Sequence, residues 1–181
     1  MKNKIRWITE TAVMLALLVC LQALTKPLGQ WVTGPCVNAI LALTALLCGM
    51  ASGLTVALIS PVLAFLLGIA PQIVTVPAIM AGNCMYVVLL RLLADPAGKS
   101  VARSSLALAA SALGKFLVLY LAVAQLICGL FAPALLDSGV LKAPMLKALP
   151  ATFGLPQLGT ALIGGAAALL LYPLLRRALR R

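Results

Sequence analysis

Basic residues punctuate this chain at the ends of long apolar runs, and that spacing restricts the fold more than any other feature. The apolar runs cover about 8–24, 36–48, 54–69, 76–93, 106–131 and 155–175. Four of the six have at least the roughly 17 residues that the shortest membrane-spanning helices need. Strand-like alternation is absent, which argues against a barrel. The expected fold is an all-α integral membrane protein, a single domain of six transmembrane helices over residues 1–181.

The charges test that topology. With both termini cytoplasmic, the inner side carries Lys2, Lys4, Arg6, Arg91, Lys99, Arg103, Arg176, Arg177, Arg180 and Arg181. The outer side carries only Lys26, Lys142 and Lys147, and Lys115 falls inside span five. Ten against three obeys the positive-inside rule, whereas an odd number of spans would put the C-terminal arginines outside. The net charge of +11 is therefore read as a topology signal and not as a nucleic-acid surface. Glu10 near the start of span one, with no clear small-residue cleavage site after it, marks a retained helix and not a removed signal peptide.

Between the spans, residues 25–35 are expected as an outer loop and residues 49–53 as a tight inner turn. Residues 91–105 read as an inner loop and 132–154 as a longer outer segment rich in proline. Pro61 is expected to kink span three. Within the spans, polar residues gather toward one side of the membrane. Gln22, Thr25, Gln30, Asn38, Gln72, Thr75, Asn83, Gln125 and Gln157 all fall in the outer half or outer loops. The inner half is Leu, Ala, Val and Gly, relieved by Thr44, Thr55 and Ser60. A pore needs polar lining throughout. A pocket open to the outside needs it on one side only.

Two helices supply the expected lining. In span four, Thr75, Gly82, Asn83 and Tyr86 fall near one side. An Asn in hydrocarbon needs a partner, either a pocket or interhelical glue. In span five, Ser111, Gly114, Lys115, Ala122, Gln125 and Gly129 share one face at helical spacing. Lys115 is the only charge deep in a span. It would cost about 3 kcal/mol at a helix centre and lies roughly 15 Å from the inner end, beyond easy snorkelling. Its functional reading is contact with an anionic or strongly accepting substrate group. Trp31 serves either an interfacial aromatic belt or a pocket lid, and Tyr86 either packing or lining. The candidate substrate-binding set is Trp31, Asn38, Gln72, Asn83, Tyr86, Lys115, Gln125 and Gln157.

Several classes lack their residues. There is no His, no CxxC, and the five cysteines are scattered, so no metal site is expected. Gly98-Lys99-Ser100 mimics the end of a phosphate loop, but position 93 is Leu and no strand precedes it. Glu10, Asp95 and Asp137 all lie at ends or in loops, so no mid-membrane carboxylate offers proton or sodium coupling. No catalytic set is present, and the chain is not expected to be an enzyme. A transporter of this kind draws its energy from a partner.

Together these features resemble the S component, the substrate-binding membrane subunit, of energy-coupling factor (ECF) vitamin transporters. The resemblance spans nearly the whole length. It rests on six spans in about 180 residues, the AVMLA run at 12–16, the outer loop after span one, the VPAIMAGN run at 76–83, and the long loop before span six. It implies tight capture of a vitamin or related micronutrient from outside a bacterial or archaeal cell. It further implies docking on a membrane T subunit and two ATPases, which hydrolyse the ATP; this chain itself carries no cofactor. Ala12 and Ala16 match the family's docking motif. The binding residues, by contrast, come from the reading of the residues above. A stand-alone secondary carrier or channel, and a ligand-free membrane assembly subunit, remain as the competing readings.

Overall fold

The computed structural model describes residues 2–69, 72–95 and 100–179, and these are mostly helical, with no strand among them. Gly98, Lys99, Arg180, Arg181 and the Lys2 side chain, which the charge and motif arguments used, lie outside the described set. Helix α1 is Lys2–Thr25, followed by a 3₁₀ turn at Lys26–Leu28. Helix α2, Gln30–Leu43, runs on into a π-helical turn at Thr44–Cys48. Helix α3 is Met50–Leu66, and α4 is Val76–Leu93 behind a 3₁₀ turn at Ile73–Thr75. Helix α5, Val101–Leu119, continues as a π-helix over Tyr120–Leu130. Two short helices, α6 (Ala132–Asp137) and α7 (Met145–Phe153), precede α8 (Leu155–Ala178).

Five stretches are long and apolar enough to cross a membrane: Lys4–Leu28, Gln30–Cys48, Ile73–Leu93, Val101–Leu130 and Met145–Ala178. Helix α3 is equally apolar but shorter, with 17 residues, or about 25 Å. Large apolar side chains such as Leu24, Leu66, Val101, Leu106 and Leu170 point outward along these helices. Water would penalise that surface, and lipid would not. The protein is thus a multi-pass helical membrane protein.

The structure corrects four loop boundaries. Residues 30–35 are helical and not an outer loop, although Thr33, Gly34 and Pro35 are all helix-breaking types. Tertiary contact explains this override. A Cβ on Gly34 would lie 2.7 Å from Thr160 Cβ, so the Thr160 side chain of α8 packs directly on the α2 backbone there. The inner turn narrows to Gly49 alone, whose φ of +94° reverses the chain; Gly53 instead packs inside α3 against Val87. Helix α5 begins at Val101, inside the expected inner loop. Ser100 caps it by accepting from the Arg103 amide at 3.2 Å, while the Ser100 amide donates to Asp95 at 3.0 Å. The outer segment 132–154 contains α6 and α7.

The most extensive pairings are α2 with α8, α4 with α5, and α3 with α4. Helix α1 is peripheral, held by the buried Leu18 and by Thr11, whose hydroxyl donates to Ser52 Oγ on α3 at 2.8 Å. Two apolar cores result. The larger joins α2, α3, α4, α5 and α8 around Leu41, Val56, Tyr86, Val87, Leu90 and Ala161. The smaller packs α7 and Leu141 against Leu119, Val123 and Ile127.

Candidate functional site

Where the two cores meet there is a cavity of about 190 Å³. It opens among the end of α1, the starts of α2 and α8, and the short helix α7. Helix α2 contributes Gln30, Thr33, Gly34, Val37 and Asn38, a spacing that puts all five on one stripe. Helix α4 adds Ile79 and Asn83, one turn apart, and α5 adds Lys115 and Leu119 by the same spacing. Phe153 and Gln157 come from either side of the α7–α8 junction.

Lys115 organises the floor. It is 3% exposed, and its Nζ donates to Asn38 Oδ1 at 2.6 Å and to Asn83 Oδ1 at 2.8 Å. The ammonium therefore ties α2, α4 and α5 together at one point. Beneath it lies the Tyr86 ring, with Nζ 5.7 Å from the ring centroid, within cation–π reach. Tyr86 donates its own hydroxyl to the Ala161 carbonyl at 3.3 Å. It supports the floor and does not line the cavity.

Lys26 and Lys115 both line this cavity, and no carboxylate does so among the described residues. The buried ammonium has neutral amide oxygens for partners and no carboxylate among the described residues. Thr33 adds a second unmet demand: its Oγ1 is buried with no hydrogen-bond partner among the described residues. At the mouth, Lys26 Nζ donates to the Gly68 carbonyl, joining the connection after α1 to the turn after α3.

The eight candidate residues divide by geometry. Asn38, Asn83, Lys115 and Gln157 line the cavity. Trp31 is 59% exposed and lies beside the α2 stripe, its ring against Gly159 of α8. Gln72 is half-buried outside the lining, and its carbonyl accepts from the Thr75 hydroxyl at 2.8 Å. Gln125 is exposed and donates to the Tyr120 hydroxyl at 3.0 Å, away from Lys115. The shared face drawn from Lys115 to Gln125 assumed α-helical spacing. The π-helix from Tyr120 takes in about one more residue per turn and rotates Gln125 off that face. Ala12 and Ala16 are both exposed on α1.

The sequence reading left Gln22, Lys26, Gln30, Thr33, Ser60 and Phe153 out of the site, yet all line the cavity. Starting α2 at Gln30 would have revealed the first turn of its stripe. A second cavity, about 720 Å³, lies at the opposite end between α5 and α8. Its walls combine Leu108, Leu169 and Leu170 with Asp95, Ser104, Arg176 and Arg177, and none of these charged side chains is fully buried.

No protein-family model, no curated protein and no solved structure matches this chain.

Proposed function

We propose that this chain is the solute-capturing membrane subunit of an importer, working as an ECF S component does. The observation that carries this reading is the Lys115 ammonium, buried at the floor of a polar cavity with two amide oxygens and no lining carboxylate among the described residues. Such a group is expensive in a membrane unless something arrives to use it. On this reading six helices cross the plasma membrane of a bacterium or archaeon, α3 among them, and both termini are cytoplasmic. The bias of basic residues supports that orientation. The cavity then opens outward, and a vitamin-like small molecule binds there.

Below Tyr86 a solute meets the larger, mainly apolar core around Leu41, Val56, Val87 and Leu90. Release inward therefore takes work from outside the chain. The reading assigns that work to a T subunit and two ATPases, docked along the exposed Ala12–Ala16 face of α1. This chain is then not an enzyme.

The test is to extract the protein in mild detergent and identify retained small molecules by native mass spectrometry. Uptake is then measured in cells with and without an ATPase module. A retained solute and ATPase-dependent uptake are expected. Transport by the purified chain alone in liposomes would refute the reading.

A further inference from the structure

Resting on that capture reading, the cavity also specifies the chemistry of its solute. Lys115 carries three N–H donors, and two are taken by Asn38 and Asn83. The two amides spend oxygens on Lys115, and their NH₂ groups, which can only donate, stand on the same lining side chains. The floor is therefore rich in donors, carries a positive charge and lacks any carboxylate among the described residues. A carboxylate is the complementary group, because it accepts at both oxygens and brings the missing charge.

Size and walls narrow the choice. At about 190 Å³ the cavity is close in size to a cavity of about 150 Å³ that holds benzene, so the solute is compact. Pro61, Ala64, Ile79, Leu119 and Phe153 form apolar walls. An inorganic anion would leave those walls unfilled. A second polar point is set by Thr33, whose buried Oγ1 lacks a partner. Thr33 and Asn38 lie five residues apart on α2, about 7.5 Å along the helix axis.

We infer that the solute is a compact organic monocarboxylate with an apolar body and a hydrogen-bonding group at the end away from the carboxylate. The acid sits on Lys115 and the distal group on Thr33.

Acid–amide pairs on two bodies test this: 4-hydroxybenzoate with 4-hydroxybenzamide, and 6-hydroxyhexanoate with its amide. Benzoate and hexanoate lack the distal hydroxyl. Neutral sugars and amines complete the panel, and binding to the purified protein is read by calorimetry and thermal shift. The acid is expected to bind at least about tenfold more tightly than its amide, since the hydrogen bonds it takes are charge-assisted. Loss of the distal hydroxyl should weaken binding about fivefold. Lys115→Met should abolish the acid–amide difference, and Thr33→Val only the hydroxyl difference. The wild-type ratios stand even if a variant fails to fold. Equal binding of acid and amide, or binding only by neutral or cationic members, overturns the carboxylate assignment and leaves capture intact. If no member binds and no solute is retained on extraction, the capture reading itself falls.

Discussion

Gly164 sits where α8 presses on α2, and replacing it with alanine should damage both fold and site. A Cβ there would lie 2.8 Å from Asn38 Cβ and 2.9 Å from the Ala39 nitrogen, and would also meet the Pro35 carbonyl oxygen. Carbon–carbon contacts rest near 3.5–4.0 Å, so the helices must part by about 0.7 Å or more. Two of the three opposing atoms belong to the backbone and cannot rotate away. Overpacking of this kind costs about 1–3 kcal/mol, and the helix propensity gained by Gly→Ala returns about 1 kcal/mol. With backbone as the obstacle the upper figure applies, leaving a net loss of about 2 kcal/mol. Titration with a denaturing detergent, followed by circular dichroism, measures it. Gly129→Ala is the control, because its Cβ would lie an ordinary 3.6 Å from the Ala124 carbonyl oxygen. Separation of α2 from α8 also draws Asn38 away from Lys115, so solute affinity should fall about tenfold in the Gly164 variant alone. A Gly164→Ala protein as stable as the Gly129→Ala control would refute the close-approach argument.

Other expectations follow from the same geometry. Asn83→Leu should destabilise the protein by about 1–3 kcal/mol by depriving a buried ammonium of an acceptor. The same change in a Lys115→Met background should cost clearly less, and additive losses in a double-mutant cycle would show that the two do not interact. Ala12→Leu or Ala16→Leu should leave solute binding unchanged while abolishing uptake; normal uptake would remove α1 as the docking face. In intact cells, an impermeant amine reagent should label Lys142 and Lys147 but spare Lys4 until the membrane is opened. Labelling of Lys4 in sealed cells would reverse the assigned orientation.

Much of this arrangement could be read in advance, for physical reasons that differ by element. Helix α4 was legible because Pro77 stands in its first turn, an apolar run follows and Arg91 closes it. Lys115 and Asn83 stood out because each is costly in hydrocarbon without a partner, and each proved to be the other's partner. The start of α2 was hidden, since Thr33-Gly34-Pro35 has the local chemistry of a loop and turns helical only through its fit to Thr160 and Gly164. Gln125 was misplaced for another reason: π-helical bonding changes the angle between residues without leaving a compositional trace. The role of Thr33 depended on that same fit, because a loop threonine meets water and a helical one here does not.

One consequence of the twin cores concerns where a guest's binding energy goes. The cavity lies on the seam between the main helical body and the small cap built from α7 and the end of α5. A molecule lodged there touches Asn38 and Asn83 on one bank and Leu119 and Phe153 on the other, so it acts as mortar between two separately packed pieces. On the capture reading, holding a guest and holding the cap shut would be one free energy, so a bound solute should raise the cap's resistance to opening.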